Sequence, residues 1–206
     1  MSGEKKTPNI VLLLLLTVLI LLISVVAFLF FSYRSWAVNF EEDMYTENFV
    51  SSLKEDEIKE INGRIEDSIN SQNETIVLEL SVRETAILMM QSFQKNEVFE
   101  LDGIYIEPVE KGLWNIFLKI KISEKISLWT EIKMKKENRE TAELFLEDLL
   151  VGGYSLKTFG FADTISDINQ SLSSSLVTVV ENNFTGRRIQ NIELLETGLV
   201  ARLEKY

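Results

Sequence analysis

The stretch Trp114–Met134, WNIFLKIKISEKISLWTEIKM, decides the fold of this 206-residue chain. Ile116, Leu118, Ile120 and Ile122 alternate with Asn115, Phe117, Lys119 and Lys121. After the turn Ser123-Glu124-Lys125, the residues Ile126, Leu128, Thr130, Ile132 and Met134 share one face. Trp129, Glu131 and Lys133 take the other. Two period-two runs joined by a short polar turn predict a β-hairpin with one apolar face, and strand pairing of this kind is antiparallel.

Working outward, further strands are expected on both sides. Val98–Leu101 and Ile104–Ile106 flank Asp102-Gly103, a hairpin-turn or bulge signal, and Pro108 is expected to end that strand. On the other side Lys136-Glu137-Asn138-Arg139 is a turn, and Thr141–Leu150 is expected to be a strand. Val151-Gly152-Gly153-Tyr154 then breaks the meander. Upstream lie a short strand, Thr75–Leu80, and the capping-box sequence Ser81-Val82-Arg83-Glu84. The latter opens an apolar helix carrying Ala86, Ile87, Leu88, Met89, Met90 and Phe93. Downstream, Phe161–Asn182 reads as a long amphipathic helix with Ile165, Ile168, Leu172, Leu176, Val179 and Val180 on one face. Ile189–Leu195, the turn Thr197-Gly198 and Leu199–Leu203 form a closing hairpin.

Further toward the N-terminus, residues 40–70 carry Phe49, Leu53, Ile58, Ile61, Ile65 and Ile69 at spacings of three to five, which predicts a helix. It reads either as a stalk or dimerising coil, or as an amphipathic helix packed on its own domain. Before it, Ile10–Phe31 gives 22 consecutive uncharged positions. At ~1.5 Å per residue this run covers ~33 Å, enough for a ~30 Å hydrocarbon core. Lys5 and Lys6 precede it, and Arg34 and the acidic run Glu41-Glu42-Asp43 follow. By the positive-inside bias the N-terminus is expected in the cytoplasm and the domain outside. A cleaved signal peptide, with Ser35-Trp36-Ala37 as a nominal site, is the rival, but the apolar run exceeds a secretory h-region. An uncleaved signal anchor in the cell membrane is therefore expected.

The fold class expected is α+β. One N-terminal transmembrane helix and a juxtamembrane amphipathic helix precede a curved antiparallel sheet packed on two amphipathic helices. The expected organisation is 1–9 cytoplasmic tail, 10–33 transmembrane anchor, 34–73 juxtamembrane or stalk helix, and 74–206 extracytoplasmic domain.

The chain has no Cys and no His. Disulfides, thiolate nucleophiles and imidazole general bases are excluded, and no metal or other cofactor is expected. Net charge is −11, yet residues 119–139 hold seven basic and three acidic side chains. The overall acidity argues against nucleic acid. The acidic runs at 41–43 and 55–57 read as solvated helix faces, and no Gly-rich phosphate loop is present, so the protein is expected not to be an enzyme.

Two candidate sites remain. Phe117, Lys119, Lys121, Trp129, Lys133 and Lys135 share one sheet face, a lysine–aromatic mixture suited to a membrane interface or an anionic polymer. The plainer reading is an outer face kept soluble by lysine. Met89, Met90, Phe93, Leu172 and Leu176 are candidates to line an apolar groove for flexible chains, although any core helix carries such residues.

The order strand, capped helix, meander, Gly-Gly kink, long helix, closing hairpin resembles the YpmS-like family of single-span bacterial envelope proteins. It also resembles the wider tubular lipid-binding (TULIP, SMP-type) domains. Leu80–Leu88, Leu150–Leu156, Arg188–Leu194 and Gly198-Leu199-Val200 carry the resemblance, over roughly residues 75–205. It implies a long curved sheet around an amphipathic helix, a groove able to hold acyl chains, and no catalytic residues to transfer. The expected function is a membrane-anchored, non-catalytic protein binding lipid or an amphipathic ligand in envelope assembly or maintenance. The expected partners are the bilayer, a lipid or acyl-chain ligand, and a membrane-protein partner or second copy. The alternative is a bitopic scaffold subunit similar to the inner-membrane alignment proteins of type IV pili. A scaffold needs the 40–70 helix as a dimer seam, whereas a lipid binder needs a continuous apolar cavity beside the 161–182 helix.

Overall fold

The computed structural model describes residues 10–44, 46–95, 100–137, 139–158, 160–163, 165–166, 169 and 186–205. They divide into two units, Met1–Glu42 and Asp43–Tyr206. The first consists of α1 (Ile10–Asp43), one 34-residue helix with no acidic residue in its first turn. From Leu14 onward it is long and apolar enough to cross a membrane. The Ser24 hydroxyl donates to the Ile20 carbonyl, so this polar side chain is satisfied within the helix. Trp36 and Phe40 stack at 5.4 Å near its C-terminal end.

The second unit is α+β. Its elements are β1 (Phe49–Val50), α2 (Glu55–Ile69), β2 (Thr75–Ser81), α3 (Val82–Lys95), β3 (Leu101–Glu110), β4 (Leu113–Ser123), β5 (Ile126–Lys135), β6 (Phe145–Val151), β7 (Tyr154–Ser155), β8 (Arg187–Leu194) and β9 (Gly198–Lys205). Two antiparallel sheets form, not the one expected. A six-stranded sheet runs β1-β3-β4-β5-β6-β7, and a three-stranded sheet runs β2-β9-β8. The strand before α3 pairs with the closing hairpin rather than with the meander. Its Thr75–Ser81 ladder onto Glu204–Gly198 is uninterrupted. Gly198 makes this possible: a Cβ there would collide with the Leu80 carbonyl.

The expected 40–70 helix is two helices with a strand between them. Phe49 and Val50 pair with Tyr105 and Ile104, so long-range pairing overrides the helical spacing at these positions. From Glu55 the helix is as expected. Ile61 is 3% exposed, and Ile58, Ile65 and Leu53 pack against the same core. The apolar face of α2 is therefore spent inside its own domain.

The capping box forms as the sequence implies. The Ser81 amide donates to Glu84 Oε2 at 2.8 Å, and the Glu84 amide donates to Ser81 Oγ at 3.2 Å. Beyond the cap, Ala86, Ile87 and Met90 are buried in one cluster with Ile104, Ile106, Trp114, Ile116 and Leu118 of the large sheet and Leu80 and Leu194 of the small one. Asp102-Gly103 is a bulge inside β3 rather than a turn. Pro108 lies within β3 next to a second bulge, where a missing N–H is tolerated. The expected strand from Thr141 begins only at Phe145. Thr141 instead reaches the small sheet, accepting from the Ile192 amide at 3.1 Å, and Ala142 and Leu144 pack on that sheet's own cluster.

Of the expected helix at 161–182, residues 164, 167, 168 and 170–182 lie outside the described residues, and so do Ile168 and the groove candidates Leu172 and Leu176. Ile165 is buried, and the Asn169 side chain accepts from the Leu146 amide and donates to the Leu146 carbonyl.

Candidate functional site

The two faces of the β3–β5 meander carry different chemistry. The face toward α3 carries Ile104, Ile106, Ile116 and Leu118 together with Trp114, whose indole N–H donates to the Leu195 carbonyl at 2.9 Å. Met90, at 1% exposure, lies in the middle of this core, and Met89 and Phe93 pack on its edge. All three belong to, or pack against, the core cluster between α3 and the two sheets.

The opposite face is built on cross-strand register. Phe49, Tyr105, Phe117, Glu131, Leu150 and Ser155 are successive partners across all six strands of the sheet. The Tyr105 and Phe117 rings meet at 5.7 Å, and Phe49 lies 6.0 Å from Trp129. Gly103 makes room for Phe49, because a Cβ there would drive into its ring. Tyr105, Phe117, Glu131 and Leu150 are all buried, and Trp129 is 2% exposed. The expectation of an open lysine–aromatic surface is corrected here. A ring closed off from solvent cannot lie in a headgroup layer as an interfacial anchor does.

The lysines of this face form its rim. Lys121 pairs with Glu100, Lys133 with Glu131 at 4.0 Å, and Lys135 with Glu147 at 3.7 Å. Lys119 Nζ sits 5.4 Å from the Trp129 ring centroid, a cation–π contact. The hydrogen bond and charge of Glu100 raise the Lys121 pKa. Of the seven basic side chains of residues 119–139, Lys121 and Lys135 pair with carboxylates outside the stretch, Glu100 and Glu147.

Glu131 is the unusual member. Burial raises its carboxyl pKa, Lys133 opposes the shift, and Glu107 and Asp148 add to it. Alternation alone assigned it to a face, but nothing in the sequence signals that this face is closed.

A second polar locus lies where the two sheets are stitched together. The Gly112 amide donates to the Leu194 carbonyl, and the Gly112 carbonyl accepts from the Lys136 amide. Gly112 has φ +85°, and a Cβ there would press on the Lys136 carbonyl. The Lys136 side chain is buried and donates to Thr141 O at 2.6 Å and Thr141 Oγ1 at 2.9 Å. Burial lowers its pKa.

Sequence reading also passed over Arg187. It is 3% exposed, and its guanidinium donates to the carbonyls of Ile69 (2.8 Å), Ser71 (2.6 Å) and Asn73 (2.9 Å). It closes the C-terminal end of α2, which has no basic residue in its last turn. The available signal was an Arg beginning a strand, which is too common to single out.

Among the described residues no group of three or more His, Cys, Asp or Glu side chains is arranged to hold a metal. No protein-family model, curated protein or solved structure matches the chain.

Proposed function

We propose that this is a single-pass membrane-tethered, extracytoplasmic and non-catalytic domain of the tubular lipid-binding kind, which holds a lipid or another amphipathic ligand in the cell envelope. The row Phe49–Tyr105–Phe117–Glu131–Leu150 carries the reading. It is an apolar, largely aromatic layer with one buried carboxyl in its middle and lysine–carboxylate pairs at its edge. The layer is closed in this structure, so an apolar body would enter it in exchange for what covers it, and Glu131, beside Lys133, would then face the headgroup. The absence of His and Cys from the chain favours binding over chemistry. The long apolar α1 supports the tether, and Lys5 and Lys6 ahead of it support the orientation.

The scaffold alternative has less support, because the α2 face it would use as a dimer seam packs on Ile61's own core.

The test is native mass spectrometry and lipid extraction on the full chain purified in lipid nanodiscs from its own envelope. A bound amphipathic species is expected, displaced by Leu150→Trp, which fills the layer, and weakened by Glu131→Gln. A ligand-free protein, or a ligand indifferent to both changes, removes the reading.

A further inference from the structure

We propose that the outer edge of β2 is a seam for a second copy of this chain, which pairs with it strand to strand about a twofold axis at Val77. The proposal is independent of what the aromatic row holds. The other sheet edges are short or covered. β1 and β7, the outermost strands of the large sheet, have two residues each, and beside β7 the Asn169 side chain holds both the amide and the carbonyl of Leu146. On β8 the Ile192 amide donates to the Thr141 carbonyl, and the Leu194 carbonyl accepts from the Gly112 amide. Short edges and covering segments keep sheets from pairing with other chains. β2 has neither protection. It is seven residues long, its ladder onto β9 has no bulge, and Thr75–Ser81 contains no Lys, Pro or Gly.

The parity of the ladder sets what this edge presents. The Lys205 amide donates to the Glu74 carbonyl, so the alternate residues Ile76, Leu78 and Leu80 turn their main-chain groups toward β9. The N–H and C=O groups of Thr75, Val77 and Glu79 point the other way, and among the described residues no hydrogen bond reaches them. At the end of the strand the outward groups of Ser81 are both used: its amide donates to Glu84, and its carbonyl accepts from Thr85 Oγ1. The open stretch is therefore 75–79. Leu78 and Leu80 belong to the core that α2 and α3 share, whereas Thr75, Val77 and Glu79 are exposed, Val77 at 52%.

Self-complementarity decides the occupant. The outward residues are symmetric in position about Val77. Antiparallel pairing of two copies there sets Val77 against Val77 and Thr75 against Glu79, so two exposed valines meet and no like charges oppose each other. Every outward N–H then faces a C=O, about six main-chain bonds in all. Any other antiparallel register leaves outward groups unmatched and sets Glu79 against Val77 or against itself. The two small sheets become one continuous sheet across the axis. A single-strand seam is small, but α1 is long and apolar enough to confine both copies to one membrane, which raises their effective concentration.

The chain has no Cys, so one introduced thiol reports without background. Opposite residues in such a rung have Cα atoms about 5.5 Å apart, within disulfide reach. Arg202, the β9 partner of Val77, is the control, because three strand spacings, roughly 14 Å, separate it from its copy in the proposed pair. The full chain is reconstituted in liposomes at low density and oxidised with copper phenanthroline, and its mass is followed by sedimentation in detergent. Val77→Cys is expected to cross-link at least tenfold faster than Arg202→Cys. The unaltered chain is expected to be a dimer, and Val77→Lys a monomer with its thermal unfolding transition retained. A monomeric unaltered chain, equal cross-linking of the two Cys variants, or a dimer that survives Val77→Lys, as one joined through α1 would, overturns the proposal. Should Val77→Lys fail to fold, the cross-linking contrast decides alone.

Discussion

Arg187 and Lys136 are both buried cations, and the fold treats them in opposite ways. Arg187 spends its fork of donors on Ile69, Ser71 and Asn73, three carbonyls that the end of α2 and the following turn leave without partners. Among the described residues the Lys136 ammonium donates to Thr141, and the residue lines a cleft. A planar guanidinium matches a fixed set of acceptors, whereas an ammonium on a flexible stem leaves a donor over. The difference teaches that burial of charge is not itself a mark of function. The criterion is whether every donor has been used within the chain.

The contrast can be broken most severely at Arg187. Arg187→Met is expected to cost about 2–3 kcal/mol, since a buried guanidinium that ties three carbonyls together is lost. Chemical denaturation should show it as a large fall in midpoint, and a change within experimental error would mean the carbonyls find water instead. Lys136→Met should cost less than about 1 kcal/mol, because removing a desolvated charge offsets the lost bonds to Thr141. Equal losses at the two positions would erase the distinction.

A buried anion sharpens the comparison with the smallest effect. Glu131 has a folded-state pKa raised above its ordinary value by burial, so the native state binds its proton more tightly than the unfolded chain does. Its contribution therefore favours the folded state more as pH falls through the raised pKa toward the ordinary carboxylate range, and is lost as pH rises through that window. Glu131→Gln should flatten this part of the stability–pH curve while leaving acid stability nearly unchanged. A curve of unaltered slope would show that Lys133, Glu107 and Asp148 compensate for the burial.

Much of this was readable before any coordinates. Alternation in Trp114–Met134 gave the hairpin and the faces of its strands, and Ser81–Glu84 gave a cap whose two hydrogen bonds are both made. Ile58, Ile61 and Ile65 marked the buried stripe of α2. What escaped depends on distant partners. Phe49 has helical spacing to Leu53, but its neighbours in space are Tyr105, Gly103 and Trp129. Thr141 looks like a strand start, yet it is captured by Ile192 and Lys136. The period of two assigns Phe117, Trp129 and Glu131 to one face without saying whether that face is covered. Arg187 meets acceptors more than a hundred positions earlier in the chain, a relation that no local window contains.

The short strand β1 has a mechanical consequence. Only Phe49 and Val50 pair with β3; the Arg83 guanidinium adds 3.2 Å bonds to the Glu47 and Phe49 carbonyls, and the Phe49 ring sits over Gly103. These few bonds make β1 a latch at one edge of the six-stranded sheet. A pull from the N-terminal side loads this latch before any other part of the domain. Its release would peel β1 from β3 and part the Phe49 ring from Gly103 and Trp129, so one end of the aromatic row is held by a two-residue strand.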